Sequence, residues 1–236
     1  MVLLIRKKHL LAAVAGAVLL LGAAVIYPRP PAAAAAAAVD TGQVVVLDAG
    51  HGGADGGAVS DSGVAESGIN LAITKRLGGV LSFCGHTVAL TREGEAALCD
   101  GTGTLRQQKV SDTKKRVELV NGFPYAFLIS IHQNSLPGHP SVRGAQAFHN
   151  EKGSAEAAAL SIQQALNGAV NEREKAARRM DDSIYLMKHA DCPAVLVECG
   201  FLSNPEETAL LQQPDYQLHM ATAIAAGFCQ YCTNEG

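Results

Sequence analysis

Tryptophan is absent from this 236-residue chain, and aromatic residues make up only 5% of it. A surface of stacked rings for gripping long bare glycans is therefore not evident. Basic charge is also scarce. Setting aside Arg6, Lys7, Lys8 and Arg29 leaves 15 Lys and Arg facing 22 Asp and Glu. That acidic balance argues against nucleic acid as a partner. No internal repeat occurs, no His-Glu-x-x-His is present, and Cys229-x-x-Cys232 has no second Cys-x-x-Cys to complete a zinc ribbon. The other cysteines, 84, 99, 192 and 199, form no recognisable framework, so buried or locally paired thiols are expected.

The one long apolar run lies at the start. Arg6-Lys7-Lys8 precede eighteen uncharged residues, Leu10 to Tyr27, and an Ala- and Pro-rich stretch follows, Pro28 to Ala38. This reads as a signal or membrane anchor (residues 10–27) with a linker, the catalytic domain occupying 41–236. The expected location is outside the cytosol, anchored in the membrane or secreted after cleavage.

Beyond that segment, strand-like runs at Gln43–Asp48, His86–Thr91, Ala126–Ile131, Gly144–His149, Ser183–Met187 and Ala194–Glu198 alternate with helical patterns. One amphipathic face carries Ile69, Ile73, Leu77, Val80 and Leu81. A short helix is expected over Lys114–Asn121, and another runs from a Ser154 cap to about Val170. Asn204-Pro205-Glu206-Glu207 is a strong helix start, and a last helix begins near Asp215. Glu93–Val110 and Leu136–Val142 read as loops. The alternation predicts a single α/β domain: a mostly parallel or mixed sheet of about six strands, with helices on both faces.

Polar residues stand where the apolar runs end. "VVVLDAGHGG" delivers Asp48 and His51, "LISIHQNS" delivers His132 and Asn134, and "AVLVECGFLSNPEE" delivers Glu198. Glu66 opens the first amphipathic helix. Each has a plain reading alone: a turn histidine, a carboxylate favoured by a helix dipole, a salt-bridge partner. Together, two histidines and one carboxylate match the ligand set of a catalytic zinc, with a position left open for water. His51, Glu66 and His132 are the candidate ligands. Glu198 is the spare carboxylate for acid and base work. Taken alone, the residues point to a metal hydrolase and stop there.

The ordered motifs "VVLDAGHGGADGGA", "ESGINLAI", "SIHQNS" and "VLVECGFLSNPEE" resemble the zinc-dependent N-acetylmuramoyl-L-alanine amidases, over about four fifths of the chain. The resemblance implies zinc held by His51, Glu66 and His132, with Glu198 as the catalytic carboxylate. It also implies hydrolysis of the amide between the lactyl group of N-acetylmuramic acid and L-alanine. "ALTRE" and "KKRVELVN" also look like the family, with Arg92 and Arg116 in supporting roles. The membrane-anchored spore-cortex branch looks most similar, which implies peptidoglycan as substrate and leaves room for an activating protein partner. Ser135 departs from the usual small residue after the "SIHxN" pattern. The stretch from Asn150 to Asp181 is too short to argue for a helix that plugs the site.

The competing readings are another zinc-dependent wall hydrolase (a peptidase or deacetylase), a nucleophilic enzyme built on Cys192 or Cys199 with His189, and a non-catalytic peptidoglycan-binding domain. The last would require a missing ligand, and none is missing. His86, His139, His149, His189 and His219 are taken as bystanders. Asn134 either orients a ligand or caps its loop.

Overall fold

The computed structural model describes residues 42–235. The expected anchor and linker lie outside these residues. No helix among the described residues is long and apolar enough to cross a membrane.

Six strands form one sheet in the order β2-β1-β3-β6-β4-β5. They are β1 Val44–Ala49, β2 Thr87–Leu90, β3 Ala126–Asn134, β4 Gln146–His149, β5 Arg178–Arg179 and β6 Ala194–Phe201. β1, β2, β3 and β6 run parallel, whereas β4 is antiparallel to β6. The sheet is thus mixed, as expected.

Alternation along the strands splits the core into two layers. Val45, Leu47, Phe127, Ile129, Ile131, Val195 and Val197 point to one face. There they meet Ile69, Ile73 and Leu77 of α1 (Glu66–Phe83), Ile162 and Leu166 of α3 (Ala155–Ala169), and Ile224 and Phe228 of α6 (Pro214–Glu235). Val46, Leu128 and Leu196 point the other way, towards Val120 of α2 (Leu105–Asn121) and Leu186 and Met187 of α4 (Tyr185–His189). Strands buried on both sides explain the unbroken apolar runs. Phe127 has no exposed surface, so its truncation to alanine should cost about 3–5 kcal/mol.

Helix starts follow local chemistry. The Asn204 carboxamide accepts from the Glu207 N–H at 2.9 Å, and Pro205 opens α5 (Pro205–Leu211), as the sequence predicts. Three expectations need correction. Ser183–Met187 is not a strand: the edge beside β4 is taken by Arg178–Arg179, and Leu186 and Met187 pack as part of α4. The loop expected over Glu93–Val110 ends at Thr104, where a capping box with Gln107 starts α2 nine residues before Lys114. Ser154 makes no cap bond; its hydroxyl pairs with that of Tyr231 instead. The 150–181 stretch holds α3, whose buried face belongs to the core, so it does not plug the site.

The chain leaves β1 by α1 to reach β2 on one side, then returns by α2 to β3 on the other. The carboxyl ends of β1 and β3 therefore flank a topological switch point, where open α/β sheets form their sites.

Candidate metal centre

The end of β1 answers why a buried strand leads into a histidine between glycines. His51 has φ of +63°, in the left-handed region that costs a side-chain-bearing residue about 1–2 kcal/mol. Its carbonyl accepts from the Arg116 guanidinium at 2.6 Å, which holds that turn. A Cβ on Gly50 would lie 2.3 Å from the His132 ring, and one on Gly57, itself at φ +72°, would lie 2.5 Å from Glu66 Oε2. The glycines are the space into which the other two side chains fit.

His51, Glu66 and His132 come together: one donor atom from each lies within 4.8 Å of the others. His51 Nε2 is 3.3 Å from Glu66 Oε2, and His132 Nδ1 is 2.9 Å from Glu66 Oε1. Ligand bonds of about 2.0–2.2 Å in a tetrahedral site put donors roughly 3.4 Å apart, so the set fits zinc with small adjustments. The two imidazoles meet edge-on, with centroids 5.1 Å apart.

Burial alone would raise the Glu66 carboxyl, but hydrogen bonds and charge from both imidazoles hold it far below the usual range. Burial alone would lower His51. The Glu66 and Asp55 carboxylates outweigh it and push the imidazole up to about 9.

Several residues that the motif reading passed over fix this geometry. Asp55 Oδ2 takes the His51 Nδ1 at 2.8 Å and turns Nε2 towards Glu66; Lys109 pairs with the other Asp55 oxygen at 2.7 Å. A ligating histidine needs a partner for its second nitrogen, and Asp55, four residues on, could have been found by asking for one. Asn70, one helical turn beyond Glu66, donates to Glu66 Oε1 at 3.0 Å, and Gln133 Nε2 donates to Asn70 Oδ1. The β3–β6 register shifts between His132 and Asn134, and within that bulge the Gln133 N–H bonds Glu66 Oε1.

The two arginines are supports. Arg92 donates to the carbonyls of Ala49, Gly50 and Ser67. Arg116 joins Asp48, Asp112 and the carbonyls of Ala49 and His51. Burial would raise Asp48, but Arg116 and the hydroxyls of Ser130 and Thr91 bring it down to about 2.

Glu198 stands beside the trio, in register with His132. Burial pushes its carboxyl up to about 7, with His132 and His51 pulling down and Glu66 pushing up. Its Oε2 is buried without a hydrogen-bond partner among the described residues. Such a group is costly unless it has work to do.

The remaining candidates lie apart. Asn134 Oδ1 accepts from the Ser135 N–H at 2.8 Å, the loop-capping role. His149, His189 and His219 bond nearby backbone carbonyls. Cys199 is sealed in the core with its thiol pushed far up by burial, and the His189 ring stacks on Tyr185, so the cysteine–histidine nucleophile is set aside.

Two histidines and a carboxylate at one end of an α/β sheet, beside a second carboxylate whose Oε2 has no partner among the described residues, offer the donor set of a metal hydrolase. The family model for N-acetylmuramoyl-L-alanine amidase matches residues 45–230. A germination-specific N-acetylmuramoyl-L-alanine amidase of Bacillus subtilis is 37% identical over 198 residues, 83% of this chain and 82% of that one. The CwlD amidase of Clostridioides difficile, solved in complex with the GerS lipoprotein, superposes with a TM-score of 0.77 at 35% identity, covering 81% of this chain and 98% of that chain. The catalytic domain of CwlV, an amidase of Bacillus (Paenibacillus) polymyxa, gives 0.69 at 29% identity, covering 81% and 98%. The chain belongs to the N-acetylmuramoyl-L-alanine amidase family. It is a peptidoglycan amidase.

Proposed function

We propose that His51, Glu66 and His132 hold a zinc ion and that Glu198 is the acid/base group of a muramoyl–L-alanine amidase. The observation that carries this is the pairing of a three-donor cluster with a buried, unpartnered carboxylate at the same strand end. Bound zinc supplies acidity to water and polarises a carbonyl oxygen. The chain's residues do the rest. Asp55 fixes the His51 ring, Asn70 and Gln133 fix the Glu66 carboxylate, and Arg116 holds the His51 backbone. Glu198 takes the proton of the attacking water and returns it to the alanine nitrogen as the amide breaks. Burial raises this carboxyl, which helps it hold the proton between the two transfers.

The setting we propose is spore-cortex peptidoglycan, reached from outside the cytosol by a domain that residues 10–27 export or anchor. Similarity to a germination-specific amidase supports it. Cleavage there would free the muramic lactyl group for lactam closure by a separate enzyme. The C. difficile relative's complex supports a lipoprotein as the partner protein.

The test is digestion of purified peptidoglycan, with zinc or with a chelator, followed by mass spectrometry of the released ends. New L-alanine amino termini that disappear with the chelator are expected. New reducing sugars, D-amino termini or chelator-independent turnover would overturn the assignment.

A further inference from the structure

On the far side of α1 from the metal centre, its carboxyl end meets α6. Cys84 caps α1, its N–H bonded to the Val80 carbonyl at 3.0 Å, and Gly85 turns the chain so that the His86 N–H bonds the Leu81 carbonyl. His86 then packs on the Phe228 ring at 5.3 Å, with its Nε2 3.5 Å from Cys229 Sγ. Cys84 stands two residues before His86, the ring that touches Cys229, and its thiol is a side-chain partner of the Cys229 thiol. Cys84 is exposed and Cys229 half-buried.

We propose that Cys84 and Cys229 are a disulfide-forming pair that ties the end of α1 to α6, with His86 as the base that readies Cys229. The partner oxidant is a disulfide, RS–SR. Cys84, open to solvent, attacks it: one sulfur–sulfur bond breaks, a mixed disulfide forms and one RSH leaves. Cys229 passes its proton to His86 and attacks the Cys84 sulfur, releasing the second RSH. Two thiols lose two protons and two electrons, and the oxidant gains both.

Each neighbour has a reason to be there. Burial raises the Cys229 thiol to about 12, so it is a poor nucleophile without a base. His86 presents its Nε2 to the Cys229 sulfur at 3.5 Å, within reach of the proton the thiol must give up. Cys232 lies one turn from Cys229 on the same helix, so a bond between those two would tie no separate elements together. Cys199 is sealed in the core. Outside the cytosol such a bond persists.

The full chain in detergent is incubated with oxidised or reduced glutathione, alkylated, and mapped by mass spectrometry without reduction. A Cys84–Cys229 peptide is expected, with two fewer alkylated thiols. The bond closes a long loop, so Tm should rise by about 5–10 °C. Cys84→Ser abolishes both effects, Cys232→Ser keeps both, and His86→Asn reaches the same end point about tenfold more slowly or worse. A Cys229–Cys232 link, a stable glutathione adduct on Cys84, or unchanged thiols would each overturn the pairing. His86→Asn closing at the parent rate would overturn the role of the histidine.

Discussion

His132 and Glu198 are register partners on parallel strands β3 and β6, so their side chains leave the sheet on one face, at an inter-strand spacing of about 4.8 Å. One backbone relationship therefore sets how far the spare carboxylate stands from the His51, Glu66 and His132 cluster. Neither side chain has to reach.

The first prediction concerns Glu198→Gln. Turnover should fall by about 10²–10⁴-fold while zinc still binds. The stability effect runs the other way. The folded carboxyl titrates near 7 because of burial, above its ordinary 4.5, so the unfolded chain gives up this proton first. The penalty on folding begins above the lower value and is complete above the higher. In chelator, the glutamine variant should be more stable than the parent above about pH 7, by at most about 3 kcal/mol, and equal to it in acid. Urea unfolding across pH reads this out, and identical curves would remove the strain.

Asp48 gives the opposite pH dependence. Arg116 and two hydroxyls hold its carboxyl near 2, against 3.8 ordinarily, despite burial. Its contribution, about 2 kcal/mol, is present above the ordinary value and lost as pH falls towards the lower one. Asp48→Asn also removes one of the two carboxylates paired with the buried Arg116, leaving Asp112, and should cost about 2–3 kcal/mol at neutral pH. The gap should narrow below about pH 3, as the parent itself becomes protonated.

Zinc binding should be linked to protons. His51 is pushed up to about 9 by Glu66 and Asp55 against its burial, so it must give up a proton to ligate. Apparent affinity should weaken about tenfold for each unit that pH drops between roughly 8 and 6. Competition with a fluorescent chelator measures it, and a flat profile would exclude His51 as a ligand. Asp55→Ala, which frees the ring, should weaken zinc binding by about 10–100-fold.

The glycines separate space from flexibility. Gly50→Ala would drive a methyl into the His132 ring and should abolish zinc binding in a protein that still folds. Gly63 has a positive φ too, +85°, but nothing within 4 Å of a Cβ. Gly63→Ala should cost only about 1 kcal/mol of stability and leave zinc affinity unchanged. Equal zinc affinity in the two variants would remove the steric argument.

Much of this architecture is legible in the sequence where burial dictates residue type. The apolar runs at Val44, Ala126 and Ala194 become strands because both sheet faces are covered, and the cap at Asn204 is local chemistry. Ser183–Met187 misleads because five residues cannot distinguish strand from a single helical turn. The first turns of α2 were hidden because Leu105–Val110 are largely exposed, so no apolar stripe marks them; only Thr104 and Gln107 signal the start. At the site, the candidate ligands and the spare carboxylate stand out at strand ends and a helix start. Asp55, Asn70 and Gln133 do not, because polar residues beside glycine or on a helix look ordinary until the fold shows what they touch.

The side chains of His51 and His132 retain 26% and 21% of their accessible surface at the sheet's rim. A rim is approached sideways. A meshwork too large to diffuse can be worked on wherever a stem protrudes, with no free end required and no strand fed through a tunnel. Stems should therefore be released from the interior of glycan chains as readily as from near their termini.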